Sequence, residues 1–269
     1  MKKEKKTGGF FWKLILIIAI AVFCFSAYQL FHIYMGYKAG VDEYNDVAEK
    51  ATVQVSKPLE PVVQKQTEEG VVVEIAEPEV YPPEIDFTEL QAINEDIVGW
   101  LQIEALPEIS YPIVQGKDND FYLHKTVKKT DNFAGSIFMD YTNKPDFTDP
   151  HTLIYGHNMK NGSMFGKLKY FLSKELYKEN KYFWICTPEK KYRYEIFSIQ
   201  HVGASSDTYQ IFPQHDEVFE NYINKMASQS EAQLESEALN KDDYVVTLST
   251  CTSNDSTRLV VQGRWIGTY

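Results

Sequence analysis

Between Phe10 and Ile33 the chain is almost continuously apolar, interrupted only by Lys13 and by mildly polar residues such as Ser26 and Gln29. Roughly 20 such residues suffice to cross the hydrocarbon core of a bilayer. The run is therefore predicted to be a single transmembrane helix over residues 10–33, with Lys13 snorkelling to the interface. Lys2, Lys3, Lys5 and Lys6 precede it. Positive flanks stay on the cytoplasmic side, which makes residues 1–9 a cytoplasmic tail and places the rest of the chain outside the cell. The competing reading is a cleaved signal peptide, whose apolar region spans about 7–15 residues and ends at a small-x-small site. Cys24-Phe25-Ser26 fits that site only loosely, and the apolar run continues past it through Tyr28, Leu30, Phe31 and Ile33. Phe23, before Cys24, also argues against a lipidated cysteine.

The totals of 27 basic and 38 acidic residues fall to 21 and 37 once Lys2, Lys3, Lys5, Lys6, Lys13, Lys38 and Glu4 are set aside, a net of −16 beyond residue 38. Such a surface disfavours nucleic acid as a partner. The 3 cysteines, Cys24, Cys186 and Cys251, form no disulfide framework. Cys186, in Tyr182-Phe183-Trp184-Ile185-Cys186, reads as a small buried hydrophobe rather than as a partner for Cys251.

Residues 34–85 are rich in Glu, Val, Lys and Pro, and prolines 58, 61, 78, 82 and 83 favour extended backbone. They are expected to form an extracellular stalk, a flexible or semi-extended spacer in which Val71-Val72-Val73-Glu74-Ile75 could be a strand and a helix or strand there would leave the reading unchanged. From Asp86 to Tyr269 the texture is that of one packed domain. Asp86 is a plausible N-cap for a helix carrying Phe87, Leu90 and Ile93. Runs rich in β-branched and aromatic residues follow at 100–103, 109–115, 134–140, 151–157, 182–187, 190–203, 243–250 and 258–266. Punctuated by Gly, Pro and Asx clusters, they predict a mainly β fold with added helices, a closed or nearly closed barrel of eight strands. Helical patterns interrupt at about 119–127, 166–180 and 215–239; in the last, Val218, Phe219, Tyr222, Ile223 and Met226 form a one-sided stripe.

One apolar run ends in a cysteine, Thr247-Leu248-Ser249-Thr250-Cys251, and after the polar loop Thr252–Thr257 another begins, Arg258-Leu259-Val260-Val261. A thiol is the side chain most readily made nucleophilic near neutral pH. An antiparallel hairpin would set Cys251 and Arg258 at one edge, where a rigid cationic fork can hold a carbonyl or a developing oxyanion. An ion pair between Arg258 and Asp255 is an equally simple reading of the same loop. His157 closes the run His151-Thr152-Leu153-Ile154-Tyr155-Gly156, at a glycine that permits a tight bend and close approach. Imidazole is the usual proton shuttle, although a histidine taken at random is more often structural or solvent-facing.

These residues together resemble the signatures of the sortases: the Thr247–Cys251 run followed by Arg258-Leu259-Val260-Val261, and Tyr155-Gly156-His157-Asn158-Met159. The subclass resembled is class B, on Asp96-Ile97-Val98-Gly99-Trp100-Leu101, Tyr111-Pro112-Ile113-Val114-Gln115-Gly116, Asp118-Asn119-Asp120-Phe121-Tyr122-Leu123 and Ala134-Gly135-Ser136-Ile137-Phe138-Met139-Asp140. The likeness covers about 86–269.

The resemblance implies an eight-stranded sortase-type β-barrel with class B helical additions, and a membrane-anchored cysteine transpeptidase that needs neither metal nor other cofactor. Its partners would be secreted proteins bearing a C-terminal sorting signal, and an amine of the peptidoglycan cross-bridge or of its lipid-linked precursor; in pilus-building relatives the amine is a pilin lysine. Cys251 would attack the carbonyl of the threonine in the sorting motif and form a thioacyl intermediate. His157 would protonate the leaving amine and deprotonate the incoming one, and Arg258 would steady the carbonyl oxygen. By the same resemblance Asn119, Leu123, Tyr155, Tyr209 and Ser249 line the substrate groove. Asn119 could equally cap the helix after it, and Tyr209 could be loop packing. Positions 252 and 253 are Thr and Ser, where some class B members carry an acid, and Asp255 is therefore left out of the catalytic set. A surface cysteine peptidase that only hydrolyses, and a silent scaffold that kept the barrel for binding, are the rival functions.

Overall fold

The computed structural model describes residues 8–52, 66–67, 70–71, 83–251 and 257–269. The tail lysines 2–6, positions 72–75 of the expected stalk strand, and the loop 252–256 with Asp255 lie outside the described residues. Two units are resolved by their internal contacts, residues 1–43 and 44–269.

The first unit is the greater part of helix α1 (Gly8–Ala51). Residues from Phe11 onward in it are apolar enough over a sufficient length to cross a membrane, and Trp12, Ile17, Phe23 and Phe31 are all exposed. Residues 34–51, expected as the start of an extended stalk, are helical instead. No proline falls before Pro58, and Tyr44, Val47 and Ala51 recur at helical spacing and are buried within the second unit. Gln66–Thr67 pairs antiparallel with Gly70–Val71 in a ladder separate from the barrel.

The second unit is built on eight strands: β1 (Ile97–Ile103), β2 (Leu106–Gln115), β3 (Ile137–Met139), β4 (His151–His157), β5 (Tyr182–Cys186), β6 (Lys191–Gly203), β7 (Val245–Cys251) and β8 (Thr257–Thr268). They close into a barrel, as the sequence pattern predicts, in the order β8-β6-β5-β1-β2-β3-β4-β7. Two joints are parallel, β2 with β3 and β4 with β7. Ile113, Ile137, Ile154, Ile196, Leu248 and Val261, from six strands, are fully buried in the core.

Helix α2 (Phe87–Ile93) is capped as expected, the Asp86 carboxylate accepting from Thr88 N and Glu89 N. The other helices are shorter than their patterns. α3 (Phe121–His124) stops where Lys125 turns extended to bridge Asp131. α4 (Tyr170–Ser173) ends before Glu175, whose φ of 52° is left-handed. α5 (Glu217–Ser228) ends because β6 captures the residues after it: Glu231 N donates to Ile199 O at 2.8 Å, and Ile199 N to Ser230 Oγ at 3.1 Å. Four residues of the expected stripe of α5 do pack on the barrel, Phe219, Tyr222, Ile223 and Met226 meeting Phe197, Phe212 and Val245, while Val218 is exposed.

A polar thread crosses this packing. His151 is fully buried; Nδ1 donates to Gln210 O at 2.8 Å, and Nε2 accepts from Thr247 Oγ1 at 2.7 Å. The donor role of Nδ1 is set by the carbonyl, which can only accept. Burial pushes the His151 pKa down to about 4. An unfolded histidine binds its proton near 6.5, so between those values the unfolded chain takes up a proton that the folded protein refuses. Stability is therefore full above about pH 6.5 and falls towards pH 4, by about 3 kcal/mol from this group. Urea unfolding midpoints between pH 7 and pH 4 should fall more steeply for the native protein than for His151→Gln, and parallel curves would show that His151 is not the source.

Candidate active site

The parallel pairing of β4 and β7 runs from His151 opposite Val245 to His157 opposite Cys251, so the histidine and the cysteine singled out in the sequence are Cα partners on adjacent strands. Neighbouring strands lie about 4.8 Å apart. On the far side of β7, β8 pairs antiparallel with Val260 opposite Ser249, and Leu259 N donates to Thr250 Oγ1 at 2.9 Å. Arg258 thus enters at the same barrel edge, half-buried. The glycine before His157 serves close approach only: Gly156 lies within regular strand, and a Cβ there would fall 2.4 Å from Ile137 Cδ1 and 2.8 Å from the Phe165 ring.

His157 is half-buried, and its Nε2 lies 2.7 Å from the carbonyl oxygen of Leu123 in α3. A carbonyl offers no proton, so Nε2 carries one while this bond is made, and Nδ1 is the ring atom whose protonation can change. Cys186 is a free, buried thiol whose pKa burial pushes up to about 12. Among the described residues no group of three or more His, Cys, Asp or Glu side chains is placed to hold a metal ion.

A cavity of about 360 Å³ opens at this edge, with His157 and Arg258 in its wall. Asn119, Leu123, Tyr155, Tyr209 and Ser249, all five residues expected in a substrate groove, line it as well. Tyr209 and Ser249 share a hydroxyl–hydroxyl bond of 2.9 Å, and the Tyr155 and Tyr209 rings stack at 6.3 Å. Asn119 is not the helix cap it might have been, since the Asp118 carboxylate accepts from Asp120 N and Phe121 N instead.

Three wall residues have no counterpart among those expected from the sequence: His124, Phe138 and Ala204. Beneath the wall sits a fourth, Asp140, which is 7% exposed. Its Oδ2 accepts from Asn119 Nδ2 at 2.8 Å and from the Tyr155 hydroxyl at 3.1 Å, while Oδ1 accepts from Thr142 N and Oγ1. One carboxylate therefore orients two wall residues 36 positions apart in the chain. Asp140 closes the motif that begins at Ala134, but nothing in its spacing announces which residues it will hold.

A family model for the sortase domain matches residues 101–266. The chain belongs to the sortase family. It is 34% identical to sortase B of Listeria monocytogenes over 267 residues, 97% of this chain and 99% of that protein. Among solved structures, sortase B of Clostridium perfringens superposes with a TM-score of 0.62 at 35% identity, over 68% of this chain and all of that one. Sortase B of Bacillus anthracis, solved in complex with AAEK1, gives 0.66 at 31%, over 87% of this chain and 99% of that one. The eight-stranded barrel is thus a sortase barrel of the class B kind, and the protein is a cysteine transpeptidase of cell-wall sorting.

The Asp140 cluster gives a test of the sortase groove. Asp140→Ala leaves the Asn119 amide and the Tyr155 hydroxyl without their acceptor, at a cost on the order of 1–3 kcal/mol each where burial is complete. The expected result is a lower melting temperature together with a KM for sorting peptides raised about tenfold. A lower melting temperature with KM unchanged would remove Asn119 and Tyr155 from the groove.

Proposed function

We propose that this sortase is anchored by α1 with its N-terminus in the cytoplasm, and that the barrel works on the outer surface, where it cleaves a C-terminal sorting motif after threonine and passes the protein to a cell-wall amine. The observation that carries the reading is the strand register that makes His157 and Cys251 partners at the edge of a cavity shared with Arg258. The orientation rests on Lys2, Lys3, Lys5 and Lys6 ahead of the apolar run. On this reading residues 1–9 are the tail, 10–33 the anchor and 86–269 the catalytic domain, and 34–85 link the last two.

The Cys251 thiolate attacks the threonine carbonyl, and its electron pair becomes the new S–C bond while the carbonyl π pair moves onto oxygen. Arg258 faces that oxygen with fixed positive charge. Collapse of the adduct re-forms the C=O and breaks the C–N bond, and the leaving nitrogen takes a proton from His157. Nδ1 is the atom for that step, because Nε2 is committed to Leu123 O. An amine of the peptidoglycan cross-bridge or of its lipid-linked precursor then gives its proton back to His157 and attacks the thioacyl carbon. The sulfur departs as thiolate, and the cycle closes with no net proton and no cofactor. Asn119, Leu123, Tyr155, Tyr209 and Ser249 hold the peptide on either side of the scissile carbonyl.

Incubation with a panel of threonine-containing sorting peptides, with and without an amine acceptor, and mass spectrometry of the products tests the reading. Cleavage after threonine with an amine-linked product is expected, and hydrolysis alone in the presence of every amine tried would favour a peptidase. Cys251→Ala should abolish both products, and His157→Ala should lower kcat by about 10²–10⁴-fold. Arg258→Ala should cost about 10²–10³-fold in kcat, as loss of an oxyanion donor does. Full activity in any of the three variants removes that residue from its role.

A further inference from the structure

The Leu123 carbonyl that holds His157 is itself held. Its oxygen packs directly on the backbone of Gly135: φ there is +56°, and a Cβ would sit 2.5 Å from the Leu123 oxygen and 2.8 Å from that of Tyr122. Ser136 N donates to Tyr122 O at 2.9 Å, and Ser136 Oγ donates to Lys125 O at 2.8 Å. Residues 135–136 are thus bonded to the α3 segment on both sides of Leu123. On their other side stands Tyr44, from the end of α1, whose hydroxyl donates to Gly135 O at 2.7 Å and lies 3.1 Å from Ser136 Oγ. The Tyr44 ring is 6% exposed and meets Tyr111 edge-on at 5.4 Å. The contact spans 91 positions of sequence.

We propose that Tyr44 is a positioning residue of the active site: through Gly135 and Ser136 its hydroxyl fixes the Leu123 carbonyl, and through that carbonyl the ring of His157. The proposal rests on the reading of His157 as the proton shuttle. A ring held at Nε2 keeps Nδ1 aimed at the reacting atoms. A ring released there turns about χ2, and a misplacement of about 1 Å can cost 10²-fold in rate. The last two turns of α1 then belong to the catalytic machinery, although the domain boundary read from sequence falls at residue 86. The brace acts on the ring of His157, whereas Leu123 is one of five residues that hold the peptide, so the effect should fall on kcat far more than on KM.

The test compares full-length enzyme in detergent with Tyr44→Phe, which keeps the ring and removes only the hydroxyl. Lys128→Met is the control, because it removes the exposed Lys128–Asp46 ion pair at the same end of α1 without touching residues 135–136. Tyr44→Phe should lower kcat about 3- to 10-fold, the worth of one hydrogen bond, with KM within about twofold. In ¹⁵N-histidine-labelled protein, the His157 Nε2–H proton signal, assigned by its loss in His157→Gln, should broaden or vanish in Tyr44→Phe and persist in Lys128→Met. Unchanged kcat and an unchanged signal in Tyr44→Phe would overturn the proposal. Equal losses of kcat in both variants would also overturn it, as general loosening. Loss of the signal with kcat unchanged would leave the brace standing as geometry and overturn the shuttle role of His157. Should Tyr44→Phe melt below the assay temperature, Ser136→Ala reads the same link from its other side, with the same signs.

Discussion

Because side chains on a strand alternate between faces, a slip of one residue in the parallel pairing of β4 with β7 would exchange the contents of the barrel and its surface. The register from His151–Val245 to His157–Cys251 is held at one end by the His151 bond to Thr247 and at the other by Gly156 against Ile137 and Phe165. Once it is set, positions 155 and 157 on β4 and 249 on β7 fall at even spacing. Tyr155, His157 and Ser249 are all found in the wall of one cavity. Antiparallel β8 adds Arg258 to the same edge. The placing of His157, Cys251 and Arg258 thus follows from strand register, whereas Asn119, Leu123, His124, Ala204 and Tyr209 reach the wall from segments between strands.

Two histidines on one strand show how surroundings divide chemical roles. His151 is fully buried with both ring nitrogens committed to protein partners, and burial keeps it neutral down to about pH 4. Through Gln210 it anchors the segment after Tyr209, and Tyr222 anchors the same segment by donating to Thr208 O at 2.9 Å. His157 is half-buried at the strand end, in the cavity wall, with Nε2 on the Leu123 carbonyl. The first suits structure and the second proton transfer, with the same side chain in both.

Much of this was legible in the sequence. All eight strands fall where β-branched and aromatic runs predict them, since in a closed barrel local propensity and burial point the same way. The Asp86 cap, the free buried state of Cys186 and the five expected groove residues of the cavity wall were also readable, the last through family likeness rather than spacing. The parallel joints were not, because a strand's direction relative to its neighbour depends on sheet order and leaves no mark on its own pattern. Residues 229–239 kept a weak helical texture, yet bonds from Ser230 and Glu231 to the Ile199 backbone replaced the helix. At residues 34–51 the Glu- and Lys-rich composition suggested a stalk, while the spacing of Tyr44, Val47 and Ala51 already carried a buried helical face.

Four of the bonds that composition and motif could not reveal have a common cause. His157 is held by the carbonyl of Leu123, His151 bonds that of Gln210, Tyr222 that of Thr208 and Tyr44 that of Gly135. In each case the acceptor is backbone, and every residue type supplies the same carbonyl, so the identity at position 123 or 210 says nothing about the bond made there. Only the donor leaves a trace, as a tyrosine or histidine whose purpose is invisible until the fold brings its partner near. A motif records the groups that must react. The groups that aim them can be drawn from any part of the chain whose backbone passes close enough, and in this protein one of them comes from a helix that begins at Gly8.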